Sequence, residues 1–127
     1  MNRTTIHADK APAAIGPYSH GIAAGDFVFC SGTVGVDPAT SKLVEGDIQA
    51  QTRQALTNLT AMLEAGGSDR AHVVKTTVFL TDMNHFKAMN EAYAEFFPSE
   101  PPARSTIGVK ELPLGALIEI EAIAVKK

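Results

Sequence analysis

The apolar residues Ile48, Ala55, Leu56, Leu59, Met62 and Leu63 recur at helical spacing, which gathers them on one face of an amphipathic helix. Asp47 stands before the run as an N-cap, and Gly66-Gly67 follows it as a stop. A second stripe, Phe86, Met89, Tyr93 and Phe97, predicts another helix, opened by the polar side chains of Thr81 to Asn84 and ended by Pro98. Asn90, four residues after Phe86, falls on the flank of that stripe, where a polar amide needs a partner.

Elsewhere the pattern is that of strands. Tyr18 to Ala24 and Phe27 to Cys30 flank Gly25-Asp26, a tight turn, and so predict a hairpin. Val73 to Leu80 is rich in β-branched residues, and Ala103 to Val109 and Ile118 to Val125 read as two more strands, joined through Pro113 and Gly115. The predicted order is ββαβαββ. Two helices are too few to cover both faces of a parallel sheet, so the expected fold is α+β, a mixed sheet with both helices on one face. In the last strand Ile118, Ile120, Ala122 and Ala124 share one parity, and Glu119, Glu121, Ile123 and Val125 share the other. Apolar residues on both sides call for burial on both sides, and copies of the same chain closed into a ring supply the missing cover.

Composition narrows the partners. A chain of 127 residues with 45% hydrophobic side chains suits one domain over 1–127, with a core that needs no staples. The net charge is −3 and the eleven Lys and Arg are scattered, so no basic stripe exists to neutralise phosphates, and nucleic acid is disfavoured. Cys30 has no second cysteine to pair with, the first twenty residues hold no apolar leader, and no run is long enough to span a bilayer. A cytosolic protein with no membrane partner is expected.

Candidate chemistry centres on Arg104, directly after Pro101-Pro102-Ala103 and on the same strand side as Thr106 and Gly108. A guanidinium matches a carboxylate with two parallel hydrogen bonds, so Arg104 is either a carboxylate anchor or half of a structural ion pair with Glu119 or Glu121. Those two acids stand about 7 Å apart along one strand face, as a general base beside a small ligand or as solvated surface charges. Tyr18 and the Ser31-Gly32 pair sit at strand ends, where a phenol or backbone N–H can meet a ligand, though turn formation explains them equally well. Cys30 fits core packing. His7, His20, His72 and His85 show no ligand spacing and no glycine-rich phosphate loop occurs, so neither metal nor cofactor is expected.

Together, the segments APAAIGPYSHG (11–21), CSGTVGVDP (30–38), VVKTTVFLTDMNHF (73–86), PPARSTIGV (101–109) and IEIEAIAV (118–125) closely resemble the RidA family, also called YjgF. The first segment separates the chain from the similarly folded trimeric chorismate mutases. The resemblance implies a chorismate-mutase-like homotrimer with clefts between subunits, and hydrolysis of reactive 2-imino acids, such as 2-iminopropanoate and 2-iminobutanoate, to 2-keto acids and ammonia without a cofactor. By the same resemblance Arg104 grips the substrate carboxylate and Glu119 holds or activates the attacking water, while Tyr18, Gly32 and Asn90 line the cleft. Backbone groups near Gly32 and Thr106 would meet the imine nitrogen, with Ser31 beside them. Many bacterial members carry Cys where this chain has Thr106, so thiol chemistry is excluded there. Some family members are associated with ribonuclease or translation-inhibitor activity, which a net charge of −3 disfavours; a trimer that binds a small carboxylic acid without turning it over is the non-enzymatic alternative.

Overall fold

A computed structural model describes residues 2–127. The two predicted helices form as α1 (Ile48–Ala65) and α2 (Phe86–Phe96). Asp47 caps α1 by accepting the Ala50 amide at 3.1 Å, and the chain leaves the helix through Gly66 and then Gly67, whose φ of +84° suits glycine. All six residues of the first predicted stripe are buried. Before α2, the Asp82 side chain accepts the Asn84 amide at 2.9 Å and opens a 3-10 turn over Met83–His85 that leads directly into the helix.

The strands are β1 (Arg3–Ile6), β2 (Gly21–Ala24), β3 (Phe27–Val34), β4 (Val36–Asp37), β5 (Lys42–Leu43), β6 (Val73–Leu80), β7 (Ala103–Gly108) and β8 (Ile118–Val125). Six of them make one mixed sheet in the order β1-β2-β3-β8-β6-β7, and β4 pairs with β5 as a small separate ladder. Only β6 and β7 run parallel, which requires a crossover, and α2 provides it. The α+β mixed sheet is therefore as expected, with β1, β4 and β5 added to the ββαβαββ order. The first hairpin strand begins at Gly21 rather than Tyr18, because the preceding segment is folded back on itself by a bond from the Tyr18 amide to Gly16 O at 2.9 Å.

Both helices pack on one face. Leu56, Leu59 and Leu63 of α1 and Met89 and Tyr93 of α2 meet Val28, Val78, Leu80, Ile118 and Ile120 of the sheet in one apolar core. Asn58, fully buried within α1, donates to the carbonyls of Val34 at 3.1 Å and Val36 at 2.8 Å, fixing the end of β3 to the helix. The other sheet face has no helix. It carries Phe27 and Phe29, 45% and 43% exposed with ring centroids 6.2 Å apart, together with Ile107 and the acids of β8.

Cys30 lies in the core, and burial pushes its thiol up to about 12, so it packs as a small apolar group. Cys30→Ala is expected to cost about 1 kcal/mol, the order of a small buried deletion. Denaturant unfolding reads that loss as a lower midpoint at unchanged slope.

Candidate functional site

Register decides which of the candidate residues can meet. In β8, Ile118, Ile120, Ala122 and Ala124 are buried under the helices, which turns Glu119 and Glu121 to the helix-free face. In β6, Thr76, Val78 and Leu80 are buried toward the helices, and their ladder partners in β7 are Arg104, Thr106 and Gly108. Residues opposite one another in a ladder share a face. Arg104 and Glu119 consequently lie on opposite faces of the same sheet, with β6 between their strands. That disposes of the ion pair with Glu119 or Glu121; among the described residues no carboxylate pairs with Arg104.

Two separate regions result. The first is a groove of about 620 Å³ lined by Tyr18, Ser31, Gly32, Leu114, Glu119 and Glu121. A bulge in β3 between Cys30 and Thr33 sets Ser31 and Gly32 against β8. A Cβ on Gly32 would lie 2.6 Å from Glu119 Oε2 and 2.9 Å from Cδ, so the absence of a side chain is what lets the carboxylate rest there. Burial first, and the neighbouring Glu121 charge second, hold the Glu119 carboxyl above the usual range. Ser31 donates its hydroxyl to Ser19 O at 2.6 Å and its amide to His20 O at 2.9 Å. Both donors are committed to the segment that carries Tyr18, so Ser31 braces the groove it lines and keeps only acceptor capacity for a ligand. Buried His20 braces the same segment, accepting the Ala8 amide on Nδ1 at 2.9 Å and bonding Pro12 O through Nε2 at 2.8 Å.

The second region lies at the β7 edge of the sheet. The guanidinium of Arg104 sits over the rings of Tyr93, 4.8 Å from the centroid, and Phe86, 5.6 Å away. Asn90 lies between those rings along α2, and its Oδ1 is buried without a hydrogen-bond partner. Thr106 follows Arg104 by two residues on the same side. The rings under the arginine escaped the sequence reading because Phe86 and Tyr93 counted there only as core stripe. Phe86 is in fact 38% exposed even with the arginine over its ring, so it is not a core residue.

Among the described residues, no cluster of three or more His, Cys, Asp or Glu side chains is arranged to hold a metal, and no helix is long and apolar enough to cross a membrane. A guanidinium stacked on aromatic rings and paired with no carboxylate among the described residues can pair with a small anion, and the unpartnered Oδ1 of Asn90, on the same helix as those rings, can accept from a donor.

Comparison with known proteins agrees over the length of the chain. The family model described as Endoribonuclease L-PSP matches residues 8–126. The chain is 49% identical to protein DfrA of Myxococcus xanthus, over 98% of this chain and 97% of that protein. It is 47% identical to the 2-iminobutanoate/2-iminopropanoate deaminase of Capra hircus, over 98% and 90%. Among solved structures, E. coli TdcF with bound serine superposes with a TM-score of 0.93 at 41% identity, covering 98% of this chain and 99% of that one. By motif, fold and full-length similarity, the chain belongs to the Endoribonuclease L-PSP family, which is the RidA (YjgF) family that its motifs resemble.

Proposed function

We propose that this protein hydrolyses 2-imino acids to 2-keto acids and ammonia, in clefts that form between subunits of a homotrimer. The observation that carries the reading is Arg104, stacked on Phe86 and Tyr93 of α2 and paired with no carboxylate among the described residues, while Asn90 of the same helix keeps an orphan Oδ1. The substrate carboxylate pairs with its guanidinium, and the imine carbon is thereby oriented toward a water held by Glu119. Attack breaks the C=N π bond and gives a carbinolamine, as Glu119 takes the proton of the water. The same proton goes to nitrogen, and Glu119 then moves the hydroxyl proton of the carbinolamine to nitrogen as the C–N bond breaks, so that ammonia leaves and the C=O forms. Arg104 and Glu119 occupy opposite faces of one chain, so they act together only when the edge of one copy meets the groove of another. The bare face with Phe27, Phe29 and Ile107 offers the apolar surface for that contact. A relative named for this deaminase activity, and another holding serine, support the substrate class.

An amino-acid oxidase that releases 2-imino acids, coupled to the purified protein, tests the reading. Faster imine decay than in buffer supports it. Absence of acceleration, with binding of a small carboxylic acid retained, would favour a carboxylate-binding trimer. Light scattering that finds a single chain would end the shared-cleft arrangement.

Two further outcomes follow from the groove. Gly32→Ala is expected to lower turnover roughly 10-fold or more with little loss of stability, because the new methyl displaces the mobile end of Glu119 and no backbone. An unchanged kcat in that variant would show that the position of the Glu119 carboxylate is unimportant. The rate should also rise with pH through the raised Glu119 pKa, since only the carboxylate accepts a proton. Glu121→Gln removes the neighbouring charge, so this limb of the pH–rate profile should move to lower pH.

A further inference from the structure

Arg104 owes its orientation to a side chain with no assigned part in the chemistry. The Tyr93 hydroxyl and Thr76 Oγ1 lie 2.7 Å apart in a buried setting. Thr76 is fully buried and is the direct ladder partner of Arg104, while the Tyr93 ring carries the Arg104 guanidinium 4.8 Å from its centroid. The contacts therefore close on themselves. They run from the Arg104 backbone to Thr76, from the Thr76 hydroxyl to the Tyr93 hydroxyl, and from the Tyr93 ring back to the Arg104 guanidinium.

Tyr93 cannot drift within that loop. It is 5% exposed, its ring packs against Phe97 with centroids 4.8 Å apart, and burial holds its phenol above its ordinary pKa, so the hydroxyl keeps its proton. An arginine otherwise carries several freely rotating bonds, and ordering it on binding subtracts from affinity. A ring pinned at its far end orders it beforehand. Phe86, 38% exposed and 5.6 Å from the guanidinium, covers the same group but has no polar anchor of its own.

We infer that Tyr93, locked by Thr76, is a positioning residue that holds Arg104 ready for the substrate carboxylate. The inference rests on the reading of Arg104 as the carboxylate anchor. Loosening Tyr93 then weakens carboxylate binding without touching the water-activating groove on the other face.

The test uses pyruvate, a stable 2-keto acid, titrated into the full-length protein and its variants. Tyr93→Phe keeps the ring and removes the hydroxyl; Thr76→Val breaks the same bond from the other side, should the first variant fold poorly. Each is expected to raise the Kd for pyruvate roughly 2- to 10-fold, the scale of one immobilised flexible side chain. The double variant should be no worse than Tyr93→Phe alone, because the Thr76 hydroxyl acts on Arg104 only through the Tyr93 hydroxyl. In an Arg104→Lys background Tyr93→Phe should have no further effect, since the lysine has no planar group to rest on the ring. The chain has four arginines, so their side-chain Nε–H signals are separable by NMR. The order parameter of Arg104 should fall in Tyr93→Phe, while that of Arg53, paired with Glu95 on the outer surface, stays put.

An unchanged Kd, or a loss of equal size in the Arg104→Lys background, overturns the inference and leaves the carboxylate anchor standing. Arg104→Lys binding pyruvate as tightly as the native protein removes the anchor reading itself, and the positioning role with it.

Discussion

Replacing Arg104 by alanine is expected to lower kcat/KM for 2-iminopropanoate by roughly 10²-fold or more while the protein stays folded. A charge-assisted hydrogen bond is worth about 1.5–3 kcal/mol, and a guanidinium offers two in parallel to one carboxylate. Even the lower figure, doubled, is about two powers of ten in rate. The loss falls on function rather than on the fold, because among the described residues Arg104 pairs with no acid and gives up its contacts with Tyr93 and Phe86. Steady-state kinetics beside a thermal melt separates the two effects. Arg104→Lys should recover only part of the activity, because a point charge cannot grip both oxygens at once. Native kinetics in the alanine variant would remove the basis of the proposed mechanism.

Glu119→Gln is expected to lower kcat roughly 10²- to 10⁴-fold with KM changed little, the range for loss of a positioned general base. The amide keeps the shape of the carboxylate against Gly32 and gives up its basicity. The same substitution has a stability signature whose sign follows from the raised pKa of Glu119. The folded state holds the proton to higher pH than the unfolded chain does. Stability therefore falls as pH rises from the ordinary carboxylate range through the raised value, and the cost is complete above it. Glutamine never ionises, so the variant should lose that part of the decline and melt higher than the native protein at neutral pH. A melting curve that keeps the native pH dependence would assign the decline to another group.

The sequence made the framework readable where the period was long and clean. The stripe from Ile48 to Leu63 identified a helix and its buried face, and the runs Val73–Leu80 and Ile118–Val125 identified strands. It failed where elements are too short or polar to show a period. Strand β1 is Arg-Thr-Thr-Ile with a single buried side chain, and β4 and β5 have two residues each. Asn90 was readable as an amide in want of a partner, and its buried Oδ1 has none in the folded chain. That Arg104 and Glu119 face opposite ways was not readable. Each strand's parity is written in its own residues, but their relation depends on β6 standing between β7 and β8 and on its register with both. Register between distant strands is a property of topology, which local periodicity does not encode.

The place of β8 also constrains how the molecule comes into being. It follows all the other described strands in sequence, yet it stands inside the sheet, bonded to β3 on one side and β6 on the other. Until it has been made, β1-β2-β3 and β6-β7 share no strand-to-strand hydrogen bonds, and each presents a raw inner edge. Vectorial folding during synthesis therefore stalls with two open sheet fragments, and closure depends on contacts between residues far apart in sequence, which form slowly. A nascent chain stopped before Ile118 should behave as an aggregation-prone intermediate that calls on chaperones, whereas one extended past Val125 can pair β8 with both fragments.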